Sequence, residues 1–373
     1  MKKILFLTGT RADFGKVKSL IEALENQSGF EVFVFVTGMH LLEEYGYTLL
    51  EIERCGFKHI HTFHNHTHET TMDLTLAKTI EGFSAYCKTV NPDMIVVHGD
   101  RPETLAGAIV GSFNNILVAH IEGGELSGTV DELIRHSVTK LSHVHFVSNS
   151  EAEKRLIQMG ELPSSVYPIG SPDIDIMRSE TLPTLTVALD YYNIEFSDYA
   201  IAMFHPVTTE SKEMAHYASE FAIALLTDER NYIVIFPNND LGSRHIIRAY
   251  DKLKDNPRFR IFPSLRFEYF LTLLKHSKFI IGNSSAGIRE APYYGIPTIN
   301  VGTRQFKRTE RADIMNVGYE LENIKEALQN INTHRVKRPE FDFGSGNSTQ
   351  QFLSCLTDST IWSIDHQKQF NDN

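Results

Sequence analysis

Short β-rich runs recur along nearly the whole chain, each followed by a longer amphipathic stretch, and this alternation constrains the fold more than any other feature. Lys3 to Thr8, Glu31 to Val36, Met94 to His98, Ile116 to Ile121, Val144 to Ser148 and Val166 to Ile169 read as buried parallel strands. The segments between them, such as Lys16 to Asn26 and Glu151 to Met159, carry apolar residues at helical spacing with charges on the opposite face. This is the βαβ pattern of a doubly wound α/β sheet. A turn cluster, Gly170-Ser171-Pro172-Asp173, interrupts it, and the pattern restarts with Tyr199 to Phe204, Tyr232 to Phe236, Phe259 to Phe262, Phe279 to Ile281 and Thr298 to Val301. Two Rossmann-like domains are expected, residues 1–172 and 173–355, in keeping with 373 residues at about 150 per domain. A last helix, Thr349 to Leu356, and the tail 356–373 are expected to pack back on the first domain.

Composition narrows the partners. Thirty-six Lys and Arg against 47 Asp and Glu give a net charge of -11, which argues against a general nucleic-acid binder while leaving room for a local basic pocket. No run approaches the roughly 18 apolar residues of a membrane helix, and the short Ile4-Leu5-Phe6-Leu7 stretch is followed at once by Arg11 and Asp13, unlike a secretory signal. Cys55, Cys87 and Cys355 form no CxxC pair and no disulfide framework. A soluble cytoplasmic protein is the expectation, with the cysteines acting as small hydrophobes.

In open α/β sheets ligands bind beyond the carboxyl ends of the strands, so the residues just after each run deserve inspection. Six strand ends carry chemistry: Thr8-Gly9-Thr10-Arg11-Ala12-Asp13, His98-Gly99-Asp100-Arg101, His120-Ile121-Glu122-Gly123-Gly124-Glu125, Phe204-His205-Pro206, Phe236-Pro237-Asn238 and Gly282-Asn283-Ser284-Ser285. Their distribution over both halves predicts one interdomain cleft.

The Gly282 to Gly287 segment has the outer glycine spacing of a P-loop, but Ile288 stands where the essential lysine belongs, so a P-loop NTPase is excluded. Free amides at a helix start and two hydroxyls can still bind an anion; equally, Ser284 or Ser285 can simply cap the helix. The first loop lacks GxGxxG, yet Arg11 can fork a diphosphate with Lys16 as a nearby charge, or lie solvated on the surface. Asp100, Glu122 and Asp131, with Glu125 and Glu132 as further candidates, suggest proton transfer; caps or structural ion pairs explain such carboxylates as readily one by one. Paired carboxylates also keep a glycoside hydrolase open. The run His59, His61, His64, His66 and His68 raises a metal site, but it alternates over both faces and lacks HExxH or a Cys partner, so a polar loop over the cleft is the plainer reading.

Taken together, these segments closely resemble the hydrolysing UDP-N-acetylglucosamine 2-epimerases of bacterial sialic acid synthesis, over roughly residues 1–330. The specific marks are Gly9-Thr10-Arg11-Ala12-Asp13, His98-Gly99-Asp100-Arg101, His120 to Thr129, Phe204-His205-Pro206-Val207-Thr208, Gly282 to Gly287 and Gly302-Thr303-Arg304-Gln305. Arg101 and Glu122-Gly123-Gly124-Glu125 place the chain on the hydrolysing side of the resemblance.

The resemblance implies a GT-B fold, UDP-sugar binding without nicotinamide or a required metal, and a homodimer or homotetramer. By motif position it implies that Arg11, Arg101, His205, Asn238, Ser284, Ser285, Glu290 and Arg304 bind UDP, with Glu290 on the ribose, and that Asp100, Glu122 and Asp131 form the acid/base set. Animal relatives have a UDP-contacting Ser where this chain has Gly15. The implied reaction converts UDP-GlcNAc and water to N-acetylmannosamine and UDP. Close relatives act instead on UDP-N,N′-diacetylbacillosamine in legionaminic acid synthesis, and a GT-B glycosyltransferase or a noncatalytic UDP-sugar sensor are the readings from other classes.

Overall fold

The computed structural model describes residues 1–66, 71–305, 308, 311, 313–334, 336, 343–369 and 371. The chain divides into two compact units. The first comprises Met1–Glu125, Asp131–Ser179 and Asp342–Asn373, the second Leu126–Val130 and Glu180–Phe341.

The first unit is built on seven strands: β1 (Lys2–Thr8), β2 (Phe30–Val36), β3 (Ile60–Thr62), β4 (Met94–His98), β5 (Leu117–Ile121), β6 (Val144–Val147) and β7 (Val166–Pro168). They lie in the order β3-β2-β1-β4-β5-β6-β7, every pair parallel. Both faces are covered, which is why the strands read as continuous apolar runs. Ile4, Phe6, Val34, Met94, Ala119 and Phe146 point to one side, against Phe14, Val17 and Ile21 of the helix Arg11–Glu25. Leu5, Leu7, Phe35, Ile95, Val97 and Val118 point to the other, against Phe83, Cys87 and Val90 of the helix Met72–Val90. Burial pushes the Cys87 thiol up to about 12, in keeping with its reading as a small hydrophobe.

The second unit repeats the design with β8 (Ala200–Met203), β9 (Tyr232–Ile235), β10 (Phe259–Phe262), β11 (Ile280–Gly282), β12 (Thr298–Val301) and β13 (Ile314–Val317), ordered β10-β9-β8-β11-β12-β13 and again all parallel. In each sheet the strand order reverses beside the first strand of the unit, between β1 and β4 and between β8 and β11. Loops that leave neighbouring strands toward opposite faces open a crevice there.

Three features differ from the sequence expectation. β3 and β13 are edge strands, short and only partly buried, so neither produces a clear apolar run. Residues 173–179 belong to the first unit, not to a domain that begins at 173, and the last helix, Ser348–Thr357, which the expectation of packing on the first domain already singled out, lies in the first unit too. The physical reason is Phe352, fully buried with its ring against Phe146 (4.9 Å) and Phe6 (6.5 Å), and Leu356 beside it. Burying one such aromatic contributes about 1.5–3 kcal/mol, enough to commit a short helix to its sheet.

Candidate active site

The first-unit cluster begins where β1 ends. Thr10 caps the helix Arg11–Glu25 by accepting from the Asp13 amide (3.2 Å), and the Asp13 carboxylate accepts from the amides of Gly9 (3.0 Å) and Thr10 (3.2 Å). Burial raises the Asp13 carboxyl above the ordinary range, while hydrogen bonds from Thr8 and the loop amides oppose this. Thr8 also meets His40 Nε2 (2.9 Å), whose Nδ1 meets Thr48 Oγ1 (2.7 Å). Burial, reinforced by the Arg11 charge, holds His40 down at about 3, so this buried chain carries a neutral imidazole. The network fixes the backbone from which Arg11 projects.

Glu122 follows β5 with a left-handed backbone, φ 61°, a conformation that costs a residue with a Cβ of order 1 kcal/mol. Its surroundings hold it there. The Glu122 amide donates to the Phe146 carbonyl (2.9 Å), and Arg135 Nη1 donates to the Glu122 carbonyl (2.6 Å). Gly124 makes the next turn at φ 78°, where a Cβ would lie 2.5 Å from the Ala152 carbonyl oxygen.

Around the Glu122 carboxylate converge Lys16 Nζ (3.1 Å to Oε2, 3.3 Å to Oε1), His98 Nε2 (3.1 Å to Oε2) and the Ser171 hydroxyl, which donates to Oε1. Asp173 Oδ2 lies 3.2 Å from the same Lys16 nitrogen. Arg135 also ion-pairs with Asp100 through Nη2, so one guanidinium spans the backbone of one candidate carboxylate and the side chain of another. Asp131 is buried at the start of the helix Val130–Leu141, one turn before Arg135 and on the same face. Neighbouring His120 is pinned between the Gly99 carbonyl (Nε2, 2.8 Å) and Thr139 (Nδ1, 3.3 Å), and burial holds its pKa well below the ordinary value.

The other acidic candidates have structural employment. Glu125 accepts from the Ser148 hydroxyl (2.7 Å), and Glu132 sits 3.6 Å from His136 on its own helix. Lys16, expected beside a diphosphate with Arg11, is instead engaged with two carboxylates. Arg101 precedes the helix Pro102–Phe113 as its N-cap residue.

In the second unit, fully buried Asn283 is the organising residue. Its Oδ1 accepts from the His205 amide (2.6 Å) and its Nδ2 donates to the His205 carbonyl (2.9 Å). Arg304 Nη1 (3.2 Å) and Gln305 Nε2 (2.8 Å) both donate to the Asn283 carbonyl. The Asn238 amide donates to His205 Nδ1 (3.1 Å), which leaves the proton of a neutral ring on Nε2. Four strand ends are thereby tied together. Gly282, φ 132°, is required because a Cβ would lie 2.0 Å from the Met203 carbonyl oxygen.

Beyond it, Ser284 accepts from the Ala286 amide (3.3 Å) and caps a three-residue 3-10 turn, Ser285–Gly287. The next helix is only Glu290–Tyr293, with Glu290 buried at its start. The sequence expectation of a full helix after Gly282 is corrected here: a turn this short offers individual amides, not a developed helix dipole. Glu210 accepts from the Thr303 hydroxyl (2.6 Å) and the Tyr319 hydroxyl (2.7 Å), steadying the loop that carries Arg304.

The histidine run is not a metal cluster in the described part of the chain: no group of three or more His, Cys, Asp or Glu among the described residues could hold an ion. His61 belongs to edge strand β3 and stacks on Tyr86 (centroids 4.1 Å apart), and His59 stacks on Phe33 (4.6 Å) and meets Glu31 (3.3 Å). His68 lies outside the described residues. Among the described residues no helix is long and apolar enough to cross a membrane.

These two parallel-sheet units are of the GT-B class of fold. The solved structure of UDP-GlcNAc 2-epimerase from Methanocaldococcus jannaschii in complex with UDP-GlcNAc and UDP matches 96% of this chain and 99% of its own, with a TM-score of 0.79 at 21% identity. The sequence is more specific. A family model described as UDP-N-acetylglucosamine 2-epimerase matches residues 22–357, and the chain belongs to that family. It is 47% identical to the UDP-N-acetylglucosamine 2-epimerase of Neisseria meningitidis serogroup B, across 100% of this chain and 99% of the relative. It is 32% identical to the hydrolyzing UDP-N,N'-diacetylbacillosamine 2-epimerase of Legionella pneumophila, across 95% of this chain and 96% of that one.

Proposed function

We propose that the chain is a hydrolysing UDP-N-acetylglucosamine 2-epimerase that converts UDP-GlcNAc and water to N-acetylmannosamine and UDP, in sialic acid synthesis. The observation that carries this reading is the Glu122 carboxylate held by Lys16, His98 and Ser171, with Asp100 joined to it through Arg135. The C2 proton of the sugar is weakly acidic, since no carbonyl is attached to that carbon. Its removal must accompany departure of the diphosphate.

In the first step a carboxylate takes the C2 proton, the C1–C2 double bond forms, and the C1–O bond breaks with its electron pair leaving on UDP. Arg11, Arg101 and Arg304, with the amides after Gly282, offset the charge developing on the diphosphate; His205, Asn238, Ser284, Ser285 and Glu290 complete the nucleotide site. In the second step water bonds to C1 as its spare proton passes to a carboxylate, and C2 accepts a proton on the opposite face. Asp100, Glu122 and Asp131 supply these transfers.

The test is incubation with UDP-GlcNAc and no acceptor, in heavy water. Release of UDP together with N-acetylmannosamine deuterated at C2 is expected. Turnover that requires an acceptor hydroxyl would make the protein a glycosyltransferase, and binding without turnover a sensor. Faster conversion of UDP-N,N'-diacetylbacillosamine would move the substrate to that of the Legionella relative.

A further inference from the structure

We propose that Ser171 and Asp173 are positioning residues for this chemistry, Ser171 setting the Glu122 carboxylate and Asp173 setting the Lys16 ammonium; the proposal rests on the reading of Glu122 given above. Ser171 ends the turn after β7 and Asp173 lies in the first turn of the helix that follows, two strands away from Glu122 in the sheet. Both are buried, Ser171 completely and Asp173 to 1% exposure. Pro172 starts the helix Pro172–Met177, and an acid in a first helical turn is ordinary. Burial of that acid against a lysine is not. A buried carboxylate is costly unless its charge is matched, and Asp173 is matched by Lys16 at 3.2 Å.

The terminal torsion of a glutamate is broad, so a carboxylate held at one oxygen can still rotate. Here Ser171 holds Oε1 closely, His98 approaches Oε2, and the Lys16 ammonium straddles both, nearer to Oε2. Lysine, with a long flexible stem, is likewise pinned from two directions, by Glu122 and by Asp173. The turn itself is braced from the end of the chain. The Ser171 amide donates to the Phe343 carbonyl (2.6 Å), and Asp175 accepts from the amides of Ser348 (3.0 Å) and Thr349 (2.7 Å) at the start of the last helix.

The experiment measures kcat, KM and the pH profile of UDP-GlcNAc turnover for Ser171→Ala and Asp173→Asn, alone and combined with Glu122→Gln, with UDP affinity and Tm as checks on folding. Each single variant should lose about tenfold to a hundredfold in kcat with KM within about twofold, the cost of loosening a reacting group by a fraction of an ångström. Ser171→Thr, which keeps the hydroxyl, should recover most of the rate. In the Glu122→Gln background Ser171→Ala should change kcat by less than about twofold, because its effect passes through that carboxylate. A wild-type kcat in both single variants, or losses that multiply with Glu122→Gln, overturns the proposal. If Ser171→Ala does not fold, the isosteric Asp173→Asn carries the same test. Normal turnover by Glu122→Gln alone would defeat the reading of Glu122 itself, a distinguishable outcome.

Discussion

The two units share a topology but treat charge differently. The first buries Asp13, Glu103, Glu122, Asp131, Arg135, Glu161 and Asp173 together with His40, His98, His120, His143 and His145. Among the described residues between 180 and 341, the buried charged side chains are Asp240, Arg289 and Glu290, and the core is apolar and aromatic, with Phe204 stacked on Phe221 and Tyr232 on Phe259. Desolvated charges cost several kcal/mol unless paired, so a fold retains many of them only where they are used or matched. On the function proposed above, the contrast fits proton transfer in the first unit, with the second adding neutral donors, Glu290 and Arg304 to the nucleotide contacts of Arg11 and Arg101.

The largest effects should come from the first unit. Glu122→Gln, Asp100→Asn and Asp131→Asn should each lower turnover at least about a hundredfold, the usual scale for losing general acid/base help, with UDP affinity nearly unchanged by calorimetry. Equal losses in affinity and turnover would erase the division of labour. Near-normal rates in all three would remove the acid/base assignment.

The second unit should answer with binding. Arg304→Ala is expected to weaken UDP about tenfold, the scale of one charge-assisted hydrogen bond, with a smaller fractional change in kcat at saturating substrate. Asn283→Ala should weaken it too, although Asn283 need not touch the ligand, because its side-chain amide holds the His205 backbone through both its oxygen and its nitrogen. Unchanged UDP affinity in both variants would break this half of the comparison.

How much of this was legible in the sequence depends on sequence distance and burial. Met94–His98 and Thr298–Val301 have the bounds their residues suggest, because strands covered on both faces are buried along their whole length. Asp100 and Glu122 were legible as candidates because they follow such strands. Ser171 and Asp173 were not: their turn reads as punctuation between domains, and Ser171 meets Glu122 from 49 residues away. Lys16 reads as a phosphate ligand because it is close to Arg11 in sequence, whereas its partners, Glu122 and Asp173, lie just beyond β5 and β7. Asn283 was visible as part of a motif, but its work is backbone bonding across strand ends, which composition does not signal. The edge strand Ile60–Thr62 hid inside a histidine run whose side chains stack on Phe33 and Tyr86.

The smallest expected effect concerns acid. His40 is neutral in the folded first unit, with a pKa of about 3 against an ordinary 6.5, because it is buried and close to Arg11. A depressed folded value means that the unfolded chain binds the proton more readily, so this contribution is fully present above pH 6.5 and is lost as pH falls toward 3. Between pH 7 and pH 6 the loss from His40 alone is roughly 0.7 kcal/mol, which for a unit of this size lowers Tm by about 2 °C. His120, whose pKa burial also lowers, acts in the same direction. Amide exchange at the two pH values, corrected for the intrinsic rate, should therefore show protection falling in β1, β2 and β4 and holding in β8, β9 and β11. A His40→Gln variant, which can still bond Thr8 and Thr48 but does not titrate, should be less stable throughout and show a shallower decline in the first unit. Equal declines in the two sheets, or an undiminished slope in the variant, would mean that the buried imidazole does not distinguish the units.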